Sequence, residues 1–166
     1  FYGDHLRRML VLLARDAELS QAIRSVLNAQ PCPTSVSFDR LRSADSPRAW
    51  LFASTLKRLI KGKDTAARFG GEEFAVVLPD TPVSGAMALA ENIRRAIADA
   101  RLVRSDTREP LSQITVSVGV GSYRRGEESN ALFDRTDQAL YAAKSGGRNR
   151  VINENAAGEA FEIAAG

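Results

Sequence analysis

The stretch Ala67-Arg68-Phe69-Gly70-Gly71-Glu72-Glu73-Phe74-Ala75-Val76-Val77-Leu78-Pro79 decides how this chain folds. Two short apolar runs flank a Gly-Gly pair, which predicts a β-hairpin with the glycines at its tip. Glycine accepts positive φ without a Cβ clash, and a bare tip lets a ligand approach the main chain closely. Glu72 and Glu73 follow at once. Successive strand residues point to opposite faces, so only one of these carboxylates can face a given site. Carboxylates are the hard oxygen ligands that Mg²⁺ needs when it accompanies a nucleoside triphosphate. Taken alone, the same four residues also fit a glycine hairpin with solvated acids.

On the C-terminal side of the hairpin, Pro79-Asp80-Thr81-Pro82 predicts a turn. Ser84 to Ala100 predicts an amphipathic helix with Ala86, Leu89, Ala90, Ile93 and Ile97 inward. Ile114 to Val120 alternates as a strand, Asn130 to Lys144 is helical until Gly146-Gly147, and Arg150-Val151-Ile152 is a closing strand. On the N-terminal side, Pro47 suits the first turn of a helix that runs to about Ile60 and ends at Gly62. Thr34 to Phe38 reads as a strand, and Leu19 to Leu27 as a helix broken by Pro31 and Pro33. His5 to Ala14 reads as a further helix, with Leu6, Met9, Leu10 and Leu13 on one stripe. Helices interleaved with strands, plus one tight hairpin, predict an α+β (mixed α/β) domain with one central sheet wrapped by helices.

Composition narrows the field. The chain has 166 residues, enough for one compact domain, and 44% of them are hydrophobic, which argues against disorder. Its net charge of +3 suits an anionic ligand but is too small a surplus to argue for nucleic acid, and no aromatic stacking platform flanks a basic groove. The single cysteine, Cys32, excludes an intrachain disulfide and fits a reducing, cytoplasmic compartment. Arg7, Arg8 and Arg15 bracket the apolar run at Leu10, so no membrane span is expected in this segment. His5 is the only histidine, which rules out a histidine-based metal site, and Trp50 is expected in the core. The chain opens at Phe1 rather than methionine, and an upstream sensor domain is expected ahead of it.

The hairpin segment closely resembles the signature of GGDEF domains, the diguanylate cyclases, in its GGEEF variant. Further stretches resemble the family in the same order. They are Ala90-Glu91-Asn92-Ile93-Arg94, Ile114-Thr115-Val116-Ser117-Val118-Gly119-Val120, and Ala139-Leu140-Tyr141-Ala142-Ala143-Lys144-Ser145-Gly146-Gly147-Arg148-Asn149. Several motifs in order, from about Leu51 to Val151, are far more specific than one. The resemblance implies a nucleotidyl-cyclase fold over residues 17–154, preceded by a linker or signalling helix over 1–16 and followed by a frayed tail over 155–166.

It also implies a reaction. Two GTP-loaded domains meet as a homodimer, each ribose 3′-hydroxyl attacks the α-phosphate of the other GTP, and cyclic di-GMP and pyrophosphate are formed with Mg²⁺ or Mn²⁺. Carried over by position, Glu72 and Glu73 are metal ligands and catalytic carboxylates, Gly70 and Gly71 border the nucleotide, and Lys144 and Arg148 reach the triphosphate.

Two segments depart from the family pattern. Arg15-Asp16-Ala17 resembles the opening of the family's Asp-x-Leu-Thr-Gly-Leu stretch, which then runs straight into the next helix, about ten residues short. The family's Asp-x-Asp-x-Phe-Lys-x-x-Asn-Asp stretch is matched best by Ser37 to Ser46. Ser37 then takes a metal-binding aspartate position, Arg42 keeps a phosphate-facing charge, and Asp45 replaces a guanine-reading asparagine. A rival alignment puts Asp39 at the metal position. Either the chain has lost these elements and is a degenerate, GTP-binding regulatory module, or loops lining the pocket are missing after Ala17 and Ser46. The family's product-inhibition site, usually Arg-x-x-Asp with a second arginine on the following helix, reads Lys61-Gly62-Lys63-Asp64 with Asn92. Lysine lacks the planar fork that grips guanine and phosphate, so this remnant is expected not to function.

Overall fold

In the computed structural model, described over residues 7–13, 47–62, 64–68, 73–103, 107–110 and 113–157, a five-stranded sheet is covered by helices on both faces. The elements are β1 (Arg7–Leu13), α1 (Pro47–Leu59), β2 (Thr65–Arg68), β3 (Glu73–Val77), α2 (Val83–Ala98), β4 (Val116–Ser122), α3 (Ser129–Ser145) and β5 (Val151–Asn153). The strand order is β2-β3-β1-β4-β5. β1 runs parallel to both β3 and β4, β5 runs parallel to β4, and only β2 is antiparallel, paired with β3 as the expected hairpin.

The N-terminal segment corrects the sequence expectation. Arg7–Leu13 is not a helix but the central strand of the sheet. Met9 to Leu13 is an unbroken apolar run. Such a run suits a strand flanked by parallel neighbours, and periodicity alone cannot separate it from a buried helix. The sheet therefore draws on residues ahead of position 17. The helix expected over Leu19 to Leu27, the strand over Thr34 to Phe38, Cys32 and His5 lie outside the described residues, and Trp50 falls on α1. At the other end, Asn155 to Ala157, expected as frayed tail, complete a helical turn in which Ala157 is buried.

The two faces are packed differently. Phe74 and Val76 of β3 and Val116, Val118 and Val120 of β4 form one continuous apolar surface with Phe52 and Leu56 of α1 and Ala90, Ile93 and Ile97 of α2. The Phe52 and Phe74 rings sit 4.3 Å apart, tilted against each other. The inward residues of α2 follow the 3.6-residue repeat read from its sequence. On the opposite face α3 lies almost on the backbone of β4. A Cβ at Gly119 would overlap the Thr136 carbonyl oxygen and the Leu140 amide, and one at Gly121 would overlap the Thr136 hydroxyl. Both glycines are thus required by close approach. β4 begins at Val116 and ends at Ser122, two residues later at each end than the expected Ile114 to Val120, and its glycines and serine are weak strand signals that end the sequence pattern early.

The end of β4 is tied down by a charged cluster that its sequence does not announce. Arg135 of α3 donates to Glu127, to Glu154 and, at 3.0 Å, to the Ser122 carbonyl, while the Ser122 amide donates to Glu154 at 3.2 Å. Burial pushes the Glu127 carboxyl up, but hydrogen bonds from Arg135 and the Arg124 amide leave it below its ordinary value. The cluster fastens the helical turn at Glu154 to both α3 and the sheet.

Gly119→Ala is expected to destabilise the domain by at least about 2 kcal/mol, because the obstacle is backbone and a packed helix rather than a mobile side chain. Gly126→Ala is the comparison: Gly126 has φ +83 with nothing within 4 Å of the added methyl, so only about 1 kcal/mol of left-handed strain applies. Urea unfolding with unchanged slope measures both, and equal midpoints would mean that α3 can lift off β4 at little cost.

Candidate functional site

The start of β3 and the end of α3 share one edge of the sheet. β2 and β3 pair through Arg68 and Phe74, so β2 ends at the edge where β3, β1, β4 and β5 begin. Glu73 opens β3 and is in register with Arg8 on β1, which is in register with Ser117 on β4. The Val118 amide donates to the Arg150 carbonyl at 2.9 Å, which carries the same row to the entry of β5. With neighbouring strands roughly 4.8 Å apart, Glu73 and Arg150 stand about 14 Å from each other along this edge. Gly70, Gly71 and Glu72 lie outside the described residues, as do Asp39, Arg42 and Asp45.

α3 runs antiparallel to β4, so its last turn reaches this same edge. Leu132 and Thr136 lie over Gly121, and Thr136 and Leu140 over Gly119, which places the Ala143–Lys144 turn above Ser117. Ser117 is fully buried, and among the described residues its hydroxyl has no hydrogen-bond partner, although nearly all buried polar groups find one. Lys144 is half-buried in the last turn, and Arg148 is exposed just beyond it. Cations at a helix C-terminus also favour its dipole, so position and charge both suit an anionic group held at this edge.

The turn carrying Arg148 is unusual. Gly147, Arg148 and Asn149 hold φ of 111, 61 and 46 in succession. Glycine takes such angles freely and asparagine tolerates them, but at Arg148 the left-handed angle costs about 1 kcal/mol or more. The Gly146 amide donates to the Ala142 carbonyl at 2.9 Å and the Arg148 amide to the Ala143 carbonyl at 3.0 Å, closing the helix. Arg94 of α2 reaches across and donates to the Asn149 side-chain oxygen at 2.7 Å. Arg94 in turn grips both oxygens of Glu91 at 2.8 Å, and Arg95 adds a bond to Glu91 at 2.7 Å. The Arg94 hydrogen bond, aided by Arg95 and opposed by burial, holds the Glu91 carboxyl at about 2. Sequence reading used Glu91 and Arg94 only as family markers, and nothing in their helical spacing points to Asn149.

Lys61 and Asp64 sit at the other end of β2. The Asp64 carboxylate accepts the Lys61 amide at 2.9 Å and the Asp64 amide donates to the Lys61 carbonyl at 2.9 Å, around Gly62 at φ +54. Asp64 thus closes the turn between α1 and β2. Four residues of strand, about 13 Å, separate this turn from the hairpin tip. Lys61 and Asn92 are both exposed.

Among the described residues no three His, Cys, Asp or Glu side chains are grouped to hold a metal ion.

Residues 51–150 match the model of the diguanylate cyclase, GGDEF domain family. The chain belongs to this family. It is 42% identical over 100 residues to diguanylate cyclase A of Treponema denticola, covering 60% of this chain and 26% of that protein. It is likewise 42% identical over 100 residues to diguanylate cyclase DgcM of Escherichia coli, covering 60% of this chain and 23% of that protein. The chain thus spans about a quarter of the length of these curated relatives. The GGDEF domain of DgcB from Caulobacter crescentus, solved in complex with c-di-GMP, superposes with a TM-score of 0.63 at 35% identity, covering 71% of this chain and 72% of that one. The mixed α/β architecture is therefore the GGDEF fold. The matched span begins at Leu51, after both segments that depart from the family pattern.

The Glu91 cluster gives this GGDEF domain a defined acid response. The Glu91 carboxyl falls from an ordinary 4.5 to about 2 in the fold, so its contribution to stability is fully present above about 4.5 and is lost as pH drops toward 2. The urea midpoint of wild type should exceed that of Glu91→Gln by a constant amount above about pH 5, and the gap should close in stronger acid. A gap independent of pH would mean that the carboxylate charge contributes nothing.

Proposed function

We propose that this GGDEF domain, of the GGEEF type, condenses two molecules of GTP into cyclic di-GMP with release of pyrophosphate, acting as a homodimer under an upstream sensor in the cytoplasm. The observation that supports the proposal is that β3 begins, at Glu73, on the same edge of the sheet as the α3 terminus with Lys144 and Arg148. The guanosine end of GTP would lie along the hairpin, where Gly70 and Gly71 leave the backbone open to it. Lys144 and Arg148 would take the triphosphate, the first as a point charge and the second through its planar fork. Glu72 would hold Mg²⁺ or Mn²⁺, which when bound neutralises the triphosphate, and Glu73 would assist at the metal or in deprotonating the 3′-hydroxyl. Each domain would present its own nucleotide so that the ribose of one faces the α-phosphate of the other. No helix among the described residues is long and apolar enough to cross a membrane, so the site here needs no bilayer.

A second reading is favoured by the family match starting only at Leu51. In it the domain binds GTP but lacks the acids that complete the metal site, and it regulates a partner without turnover. The one candidate for a metal acid there, Asp39, lies in the preceding segment, with Arg42 for phosphate and Asp45 at the guanine-reading position. Turnover separates the readings. Glu72→Gln keeps shape and removes the charge that opposes the metal, so cyclic di-GMP formation should fall at least about 100-fold with the melting temperature unchanged. Binding of GTP by wild type with no product formed would favour the regulatory module, and near wild-type turnover by Glu72→Gln would remove this residue from the mechanism.

Feedback by product at the Lys61–Asp64 turn should be weak. Lys61 offers one charge on a flexible stem, Asn92 offers none, and the Asp64 carboxylate is engaged with the Lys61 amide. Cyclase activity should persist when added cyclic di-GMP reaches tens of micromolar, roughly the level that saturates a micromolar site. Progress curves with added product check this, and inhibition abolished by Asp64→Ala would show that lysine serves after all.

A further inference from the structure

Arg148 and Asn149 hold left-handed backbone angles immediately after Gly147, and neither is glycine. The helix-closing bonds extend only as far as the Arg148 amide, which donates to Ala143 at 3.0 Å. Beyond it the side chain of Asn149 is held from another helix, by Arg94 at 2.7 Å across 55 positions of sequence. Arg94 is itself fixed. Its Nε and one terminal nitrogen grip the two oxygens of Glu91 at 2.8 Å each, which sets the guanidinium plane and so the direction of the remaining nitrogen. Its side chain is 17% exposed, so it is packed between the helix and the turn rather than free in solvent.

We propose that Arg94 is a positioning residue for phosphate recognition: oriented by Glu91, it holds Asn149 in the left-handed turn and so aims Arg148 at a bound triphosphate. This rests on the reading above, in which Arg148 contacts that triphosphate. Strained backbone persists only where the surroundings over-determine it, and this link supplies the tertiary part of that determination. The role is specific to arginine. A lysine at position 94 has a single ammonium, which cannot engage both Glu91 oxygens and still direct a donor at Asn149. The link also makes the phosphate grip depend on how α2 and the end of α3 sit together, although the two helices occupy opposite faces of the sheet.

The test is calorimetry of Mg²⁺-GTP and of guanosine on the full chain, for wild type, Arg94→Ala, Arg148→Ala, the double variant, Arg94→Lys and Asn149→Ala. Arg94→Ala and Asn149→Ala should each weaken GTP about tenfold and leave guanosine unchanged, Arg94→Lys should not restore affinity, and the double variant should bind GTP no worse than Arg148→Ala alone. If Arg148→Ala leaves GTP binding intact, the phosphate reading itself fails. If Arg148→Ala weakens GTP while Arg94→Ala does not, or adds its full effect to that of Arg148→Ala, the relay fails and the phosphate reading stands. Equal weakening of GTP and guanosine by Arg94→Ala would show a general loss of structure and overturn the proposal. A measurement without ligand decides independently: backbone three-bond couplings at Arg148 and Asn149 should leave the left-handed range in Arg94→Ala, and unchanged couplings would sink the relay whatever the nucleotide does.

Discussion

The placement of α3 against bare backbone at Gly119 and Gly121 governs the edge of the sheet at which Lys144 and Arg148 stand. A helix normally stands off a sheet by the depth of the side chains between them. Here it is held close by the absence of two Cβ atoms, and the Thr136 and Leu140 backbone fills the space. The fit fixes the helix both in height and along its axis, because the obstacles are a carbonyl, an amide and a hydroxyl at defined positions. Lys144 and Arg148 inherit that accuracy, since they sit one and two turns beyond Leu140. A phosphate grip gains from such rigid support, because a small misplacement of a charged donor forfeits much of its contribution.

The two ends of α3 are then secured by different chemistry. Near its beginning, Arg135 is enclosed by Glu127, Glu154 and the Ser122 carbonyl, so every direction of its guanidinium is used within the fold. Near its end, Arg94 engages Glu91 fully but reaches the exposed Asn149 with a single bond. The first arrangement is static and structural. The second leaves the turn at Arg148 accessible to a ligand while limiting its freedom.

What could be read from the sequence follows from how local each signal was. The hairpin over Ala66 to Leu78, the helices opening at Pro47 and near Ser84, and the helix ending before Gly146 all carry their own periodicity and stop signals, and they stand where expected. β1 was misread because Leu6, Met9, Leu10 and Leu13 satisfy a helical repeat while Met9 to Leu13 is also a plausible strand, and only pairing with β3 and β4 decides between them. Lys144 and Arg148 were legible as candidates by resemblance. The link from Arg94 to Asn149 was not, because 55 residues separate the partners and no motif joins them. Gly119 was visible as a letter in a strand, but its reason, the backbone of a helix, is a tertiary fact.

The outer strands of the sheet are its shortest: β2 has four residues and β5 three. An exposed strand is a template on which another chain can add itself, and brevity is one of the ways proteins deny that template. Two copies of this domain would therefore gain little by continuing one sheet into the other. An encounter between copies would then rest on side chains rather than on a shared ladder, and contacts of that kind can form and part without unfolding either sheet.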